Sequence, residues 1–434
     1  MERPVTPEAA EALYESARQL SGPYNQGRPL SVKEREPFHL VGKDGMRRLD
    51  WHGRILADSL GDPEVRDRVE KVLDDNGGQE VYSPDETHEE LDLAQARLSE
   101  MLHETFGGGP WAVDFLSSGT RANENGLKHG RAALGGQMRI AALREGYHGA
   151  GLMSAIIGHS AWQSQGTMPL GGPLTFLDFV KNDRGRDYSP DFERFVDCGL
   201  GADGMPYLLE EAGVQGVAGF RELDRIGARR MAIITHGKGG LVHHDIVQVA
   251  LDRTGEGMLE PAGMVDPSDP DTMPDIVTGA KGLGVGYPFA FTGVRQSVLD
   301  RGKGHPGKDY DTYARNVTGA TAFNVLYDRS RDPRFHDNIV ERGEQLRRGL
   351  DTIQARFPDR VVGTTGRGLM TGLELDSAAR VLRFRELGIT KTGIICCAGG
   401  IRGNVLRLGV KLDSSPTIID EGLQKIEDTL QRAA

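Results

Sequence analysis

Apolar side chains recur at Leu91, Ala94, Leu98, Met101 and Leu102, the spacing that builds one face of a helix. Thr87, with Glu90 three residues on, reads as the capping box that starts it. The same periodicity through Ala9, Leu13, Ala17 and Leu20 predicts an earlier helix over Thr6–Leu20. Asp44–Asp50 reads as a hairpin turning at Gly45. From Trp111 the pattern changes. Short apolar runs at Trp111–Leu116, Met138–Leu143, Met231–Thr235 and Pro288–Val294 read as strands, separated by helical stretches. That alternation predicts an α/β unit with a largely parallel sheet. Beyond about residue 310 the order differs. A long amphipathic helix (Phe335–Phe357, with Ile339, Leu346, Leu350 and Ile353) precedes strand-like runs at Gly368–Leu375, Gly393–Cys396 and Asn404–Leu408. A last helix follows Pro416, with Ile419, Leu423, Ile426 and Leu430 as its stripe. The expected division is a large α/β domain over residues 61–310 and a smaller, discontinuous α+β domain from residues 1–60 and 311–434.

Composition narrows the functions open to such a chain. Its 434 residues carry a net charge of -11 without a basic run, which argues against a nucleic-acid partner. No stretch approaches the roughly 20 apolar residues that span a bilayer, and the acidic start (Glu2, Glu8, Glu11, Glu15) is unlike a signal peptide. Cys198, Cys396 and Cys397 offer neither a disulfide framework nor metal-ligand spacing. A soluble protein of the reduced cytoplasm, with no membrane partner and no metal, is the expectation. The 59 glycines cluster in short runs between apolar segments, as tight turns and close backbone approach to a ligand require.

Four segments carry the candidate chemistry. In Phe115-Leu116-Ser117-Ser118-Gly119-Thr120 a strand ends in hydroxyl residues just where a helix begins. Free N–H groups there would grip a phosphate, although an ordinary helix cap reads the same way. Gly146-Tyr147-His148-Gly149 sets an aromatic between glycines, where it can lie flat on a planar ring or simply pack in a core. Leu241–Gln248 reads as an apolar strand delivering Asp245 at its C-terminal end, where ligands of open α/β sheets sit. A buried acid there needs a cation, and a protonated pyridine nitrogen would serve; a solvated loop aspartate is the plainer alternative. His243 and His244 alternate across a strand and so do not share a metal. The last segment, Pro274–Pro288, holds Lys281 among Ala and Gly, a candidate for a buried nucleophilic amine. Its Gly-Leu-Gly-Val-Gly run is followed by Tyr287-Pro288, where a dinucleotide fingerprint requires a helix. Gly302–Lys308 mimics a P-loop but has Asp309 in place of Ser or Thr.

Taken in order, these segments resemble the class III aminotransferases, pyridoxal 5'-phosphate (PLP) enzymes of fold type I. The similarity runs from about Asp44 to the C-terminus and is patchy over residues 158–235. It rests on DGMRRLD, SSGTRANENGLKHGR, GYHG, HHDIVQ, GRGLMTGLELD, GNVLRLGVKLD and, most specifically, PDIVTGAKGLGVGYP. The resemblance implies that Lys281 carries the cofactor as a Schiff base and moves the catalytic proton. Asp245 would pair with the pyridine nitrogen, Gln248 with the ring hydroxyl, and Tyr147 would stack on the ring. Ser118, Gly119 and Thr120 would hold the phosphate, with Thr318 or Asn316 reaching it from a partner subunit. Arg407 would bind a substrate carboxylate, and a homodimer with shared sites is expected. Arg121, Ile246, Val249-Ala250 and Val410-Lys411 depart from the family pattern around the substrate. The glutamate on the strand before Asp245 is Glu210 or Glu211.

The resulting expectation is an aminotransferase acting on a small amine or amino acid. The alternative keeps PLP but diverts it to racemisation, amino-group migration, decarboxylation, elimination or carbon–carbon bond formation. A non-catalytic PLP-type scaffold and an NAD-dependent dehydrogenase are the readings from other classes. The first conflicts with the presence of both Lys281 and Asp245, the second with the lack of a Gly-rich turn into a helix.

Overall fold

The computed structural model describes residues 30–433 apart from 62, 84, 137, 144, 159–173, 178–204, 260–262 and 303–310. The helix expected over Thr6–Leu20, Cys198 and most of the P-loop mimic lie outside the described residues. Strands β1 (Val32–Arg35), β2 (His39–Gly42) and β3 (Arg47–Trp51) form an antiparallel meander, and the hairpin between the last two turns at Gly45 with φ of 77°, a conformation glycine adopts without strain. Helices α1 (Pro63–Asp75) and α2 (Glu89–Phe106) follow.

The large sheet is assembled next. β4 (Trp111–Leu116), helix α3 (Gly119–Ala133), β5 (Met138–Leu143), β6 (Leu174–Leu177) and β7 (Met205–Glu211) supply its first half. A two-stranded hairpin of β8 (Val214–Gln215) and β9 (Arg221–Glu222) leads into helix α4 (Arg225–Gly237). Strands β10 (Leu241–Asp245), β11 (Ile276–Gly279) and β12 (Ala290–Arg295) complete it. The order is β4-β12-β11-β10-β7-β5-β6. Only β12 runs against its neighbours, β4 and β11. Every residue of β10 is buried, as expected of a central parallel strand covered on both faces.

Helices α5 (Val317–Ser330) and α6 (Pro333–Arg356) then lead to β13 (Val361–Arg367), β14 (Met370–Leu375), helix α7 (Ala378–Leu387), β15 (Ile394–Gly399), β16 (Val405–Gly409) and helix α8 (Pro416–Arg432). A second sheet has the order β1-β2-β3-β15-β16-β14-β13. The first three strands of the chain and the last four thus share one sheet, closed by the parallel pairing of β3 with β15.

Two local expectations are corrected. Met231–Thr235 lies inside α4, not in a strand. Its apolar side chains belong to the buried stripe Ala228, Met231, Ala232 and Thr235, and Asp224 caps the helix through the Ile226 N–H at 3.1 Å. A short apolar run does not by itself separate buried helix from buried strand. The cap of α2 is His88, whose Nδ1 accepts from the Glu90 N–H at 3.1 Å. Glu90 does not reach back to Thr87. It is buried under α5 and accepts from Asn324 Nδ2 at 2.7 Å and Arg68 at 2.8 Å.

The second sheet packs tightly on α8. Trp51 is fully buried, and a Cβ on Gly422 would stand 2.0 Å from its ring. Replacing Gly422 with Val should therefore destabilise the fold by about 1–3 kcal/mol through overpacking, offset only in part by the better helix propensity of the new residue. Urea denaturation measures the change; a midpoint equal to wild type would show that the indole shifts freely.

Candidate active site

Strands β4, β10 and β11 end on one edge of the large sheet, where their chain continuations enclose a cavity of about 590 Å³. β4 gives way to Ser117 and Ser118, and Ser118 caps α3 by accepting from the Arg121 N–H. The first-turn N–H groups of Gly119 and Thr120 have no intrahelical acceptor, and Ser118, Gly119 and Thr120 all line the cavity. Positive helix-end potential and two hydroxyls form an anion cradle. Ser117 is drawn aside, donating its N–H and hydroxyl to Asp311 at 2.9 and 2.5 Å.

At the end of β10 sits Asp245, 4% exposed. Burial alone would lift its carboxyl, yet it lies net below the ordinary value because His148, the Val247 N–H and Asn123 hydrogen-bond to its ionised form. His148 Nδ1 and Asn123 Nδ2 each lie 2.8 Å from Oδ2, and the Val247 N–H lies 3.0 Å from Oδ1. Asn123 is itself fixed, donating also to the His148 carbonyl at 2.9 Å and accepting from Thr278 at 2.5 Å. A negative charge is thereby held ready in the cavity wall. Such a charge is costly in a buried place unless a cation meets it.

After β11 the chain enters a tight turn at Lys281, whose φ of 52° is unusual for a residue with a Cβ. The turn points the side chain into the cavity. Desolvation first, and the positive charge of Arg407 next, pull the Lys281 amine down to about 8, against partial opposition from Asp245 and Glu211. Neutral amine is thus available near neutral pH.

Tyr147, Gln248 and Arg407 line the same cavity. Gln248 is 7% exposed, and its Oε1 has no partner among the described residues. Its Nε2 donates to Glu211 Oε1 at 3.4 Å. Of the two glutamates, Glu211 is the one that touches the cavity wall, accepting also from the Tyr147 N–H at 3.3 Å. Burial, then the charge of Asp245, pushes its carboxyl well up. Glu210 faces away and pairs with His244 at 2.8 Å. Arg407 reaches the cavity from the second sheet and is anchored by donation to the carbonyls of Ala398 and Gly216, both at 3.2 Å.

The structure brings together Ser118, Gly119, Thr120, Tyr147, Asp245, Gln248, Lys281 and Arg407. Thr318 is not among them. It is buried at the start of α5, and its hydroxyl donates to Asn316 Oδ1 at 2.5 Å. Sequence reasoning gave no role to Asn123 or His148, although both lie inside motifs it singled out. It also missed Arg385 and Cys397 in the cavity wall, for which no local signal exists. A PLP molecule fits this donor set: a cradle for its phosphate, a buried carboxylate for its ring nitrogen, an unsatisfied Gln248 oxygen, and a desolvated amine for its aldehyde.

The fold and cavity together define a PLP enzyme of fold type I. A model of the class III aminotransferases matches residues 23–430. Mitochondrial acetylornithine aminotransferase of Candida glabrata is 27% identical over 385 residues, covering 86% of this chain and 84% of that protein. Among solved structures, an aminotransferase of Bacillus anthracis superposes with a TM-score of 0.83 at 17% identity, covering 98% of this chain and 99% of the other. An amine transaminase from an uncultivated Pseudomonas species, in its PLP-bound form, gives 0.79 at 21% identity, with 95% and 97% covered. The chain belongs to the class III aminotransferase family. Its cofactor is PLP, and it is an aminotransferase acting on an amino acid or amine. Among the described residues, no helix is long and apolar enough to cross a membrane.

Proposed function

We propose that the substrate is a carboxylate-bearing amino acid, bound with its carboxylate on Arg407 and its amino group facing Lys281. The observation that carries this reading is the placement of Arg407: its guanidinium lines the cavity and has no carboxylate partner among the described residues, and its charge is felt at the Lys281 amine. Arg385 lines the same cavity, donating Nε to the Cys396 carbonyl at 3.2 Å and making no ion pair among the described residues. The substrate end of the pocket is thus cationic.

When bound, PLP supplies an electron sink for the pair released at the substrate α-carbon. The protein's part is placement and proton handling. Ser118, Gly119 and Thr120 would hold the phosphate, and Tyr147 would lie against the ring. Asp245 would keep the ring nitrogen protonated, while Gln248 would meet the ring hydroxyl. Lys281 would hold the aldehyde end of the cofactor, and its amine would carry the proton to and from the substrate α-carbon. An amine that titrates near neutrality suits that task.

Homodimeric assembly rests on the family resemblance. Thr318 is not at the cavity of its own chain, so a phosphate contact through it requires a second subunit. The division into residues 61–310 and residues 1–60 with 311–434 is supported by the strands of residues 32–51 and 361–409 sharing one sheet. Cytoplasmic residence is supported by the free thiols of Cys396 and Cys397.

Steady-state amino transfer over a panel of amino donors tests the substrate reading. Arg407→Ala should raise KM for α-amino acids by roughly 30-fold or more, as removal of a buried charge partner costs about 2–5 kcal/mol. Amines without a carboxylate should change far less. Equal losses for both classes would show that Arg407 does not read the carboxylate.

A further inference from the structure

Cys397 stands at the centre of a row that crosses three adjacent strands. Its strand, β15, pairs in parallel with β3, where Cys396 lies opposite Trp51, so His52 falls beside Cys397. On the other side β15 is antiparallel to β16, and Cys397 lies directly opposite Arg407. Side chains at paired positions share a face of the sheet. His52, Cys397 and Arg407 are therefore neighbours, and the last two line the cavity. Cys396, next along the strand, takes the opposite face, where burial keeps its thiol protonated.

The surroundings favour the ionised sulfur. Burial would raise the Cys397 thiol, but a hydrogen bond with His52 and the charges of Arg407, His52 and Arg385 bring it net below the ordinary value. His52 shifts upward, despite its own desolvation, through the same hydrogen bond and the charges of Cys397 and Asp50. The two shifts agree in direction: the contact lowers the thiol and raises the imidazole, so each partner favours the other's charged form. Lys281 also feels the Cys397 charge from across the cavity.

A second observation points to an anion site beside this sulfur. Arg407 is 8% exposed, and two of its nitrogens are spent on the Ala398 and Gly216 carbonyls. Its Nη2 has no hydrogen-bond partner among the described residues, and Arg407 lines the cavity that Cys397 also lines. An anion completing Arg407 would sit next to the Cys397 sulfur.

We propose that Cys397 is a covalent modification site for small thiol-directed carbon electrophiles, and that an adduct there blocks the carboxylate end of the pocket. The blocking half rests on the reading of Arg407 as the carboxylate receptor. In the reaction with an α-halo amide, the sulfur lone pair forms the S–C bond, the carbon–halogen bond breaks, and halide leaves. The proton lost by the thiol remains on His52. No oxidant or reductant is involved.

Iodoacetamide on the PLP-loaded protein, followed by peptide mass mapping, tests this. One carbamidomethyl group should appear on Cys397 at neutral pH, and Cys396 should remain unlabelled. Glutarate, as a carboxylate probe, should slow the labelling about tenfold, and His52→Gln should slow it by a similar factor. Amino transfer should fall in proportion to labelling, whereas whatever transfer Cys397→Ser retains should be indifferent to the reagent. An unlabelled Cys397 in wild type overturns the proposal. So does labelling that glutarate leaves unchanged, or full labelling without loss of transfer. Labelling and protection are read by mass alone. Failure of the unlabelled protein to transfer amino groups would therefore count against the substrate reading, not against the reactive thiol.

Discussion

Lys281→Ala should lose amino transfer by at least about 10³-fold while keeping its fold. The amine has two duties, covalent attachment and proton transfer, and positioned proton transfer alone is worth about 10²–10⁴-fold. Alanine keeps the Cβ that the turn already accommodates at φ of 52° and removes a buried amine, so stability should change little. Absorbance in the near-visible gives an independent readout: wild type with PLP should be yellow, and the variant should not develop that band. The pH dependence carries the same test further. With the amine at about 8, covalent uptake of PLP by the cofactor-free protein should rise with pH and level off above about 8. The neutral form is the nucleophile, so the rate is lost as pH falls. A midpoint near 10.5, the ordinary value for lysine, would mean that the amine is not desolvated. A yellow Lys281→Ala protein would sink the assignment.

Asp245→Asn should be nearly as damaging to catalysis. The substitution keeps size but turns one acceptor oxygen into a donor and removes the negative charge from a residue 4% exposed. Leaving a buried cation without its partner costs about 2–5 kcal/mol, which corresponds to a loss of roughly 30- to 4000-fold. The loss should appear in kcat rather than in KM, because the charge acts on electron withdrawal and not on substrate contact. The phosphate cradle is untouched, so PLP should still bind, though more weakly. A kcat within threefold of wild type would show that the acid only holds His148 and Asn123 in place.

Both predictions concern residues that were legible before the structure, and the reason is local. Lys281 and Asp245 lie in short segments whose neighbours declare a strand end and a glycine turn, and the phosphate cradle is a continuous run of residues. The residues that tune them were not legible. Asn123 and His148 hold Asp245 from sequence distances of 122 and 97 residues, and nothing in either segment announces the other. Glu210 and Glu211 could not be told apart because alternation along β7 is a matter of register. Pairing with β10 sets Glu210 opposite His244 and Glu211 opposite Asp245, and only the second reaches the site.

The misread elements failed for related reasons. Met231–Thr235 is apolar enough for a strand, yet its place beneath a capped helix makes it one buried stripe. Glu90 has the spacing of a capping box, but packing of α5 against α2 offers its carboxylate a better donor in Asn324.

The sequence by itself determined the alternation of elements and singled out the segments that carry Lys281, Asp245 and the Ser118–Thr120 turn. These depend on the order of residues within short segments, and short-range physics acts on that order directly. Only the tertiary structure decided which walls meet around the cavity. Arg407 and Cys397 come from a sheet that joins β3 to β15 across more than 340 residues of chain, with His52 just past β3 and Arg385 on helix α7 packed against β15. Their charge, exposure and partners follow from strand register and burial, which no segment specifies alone.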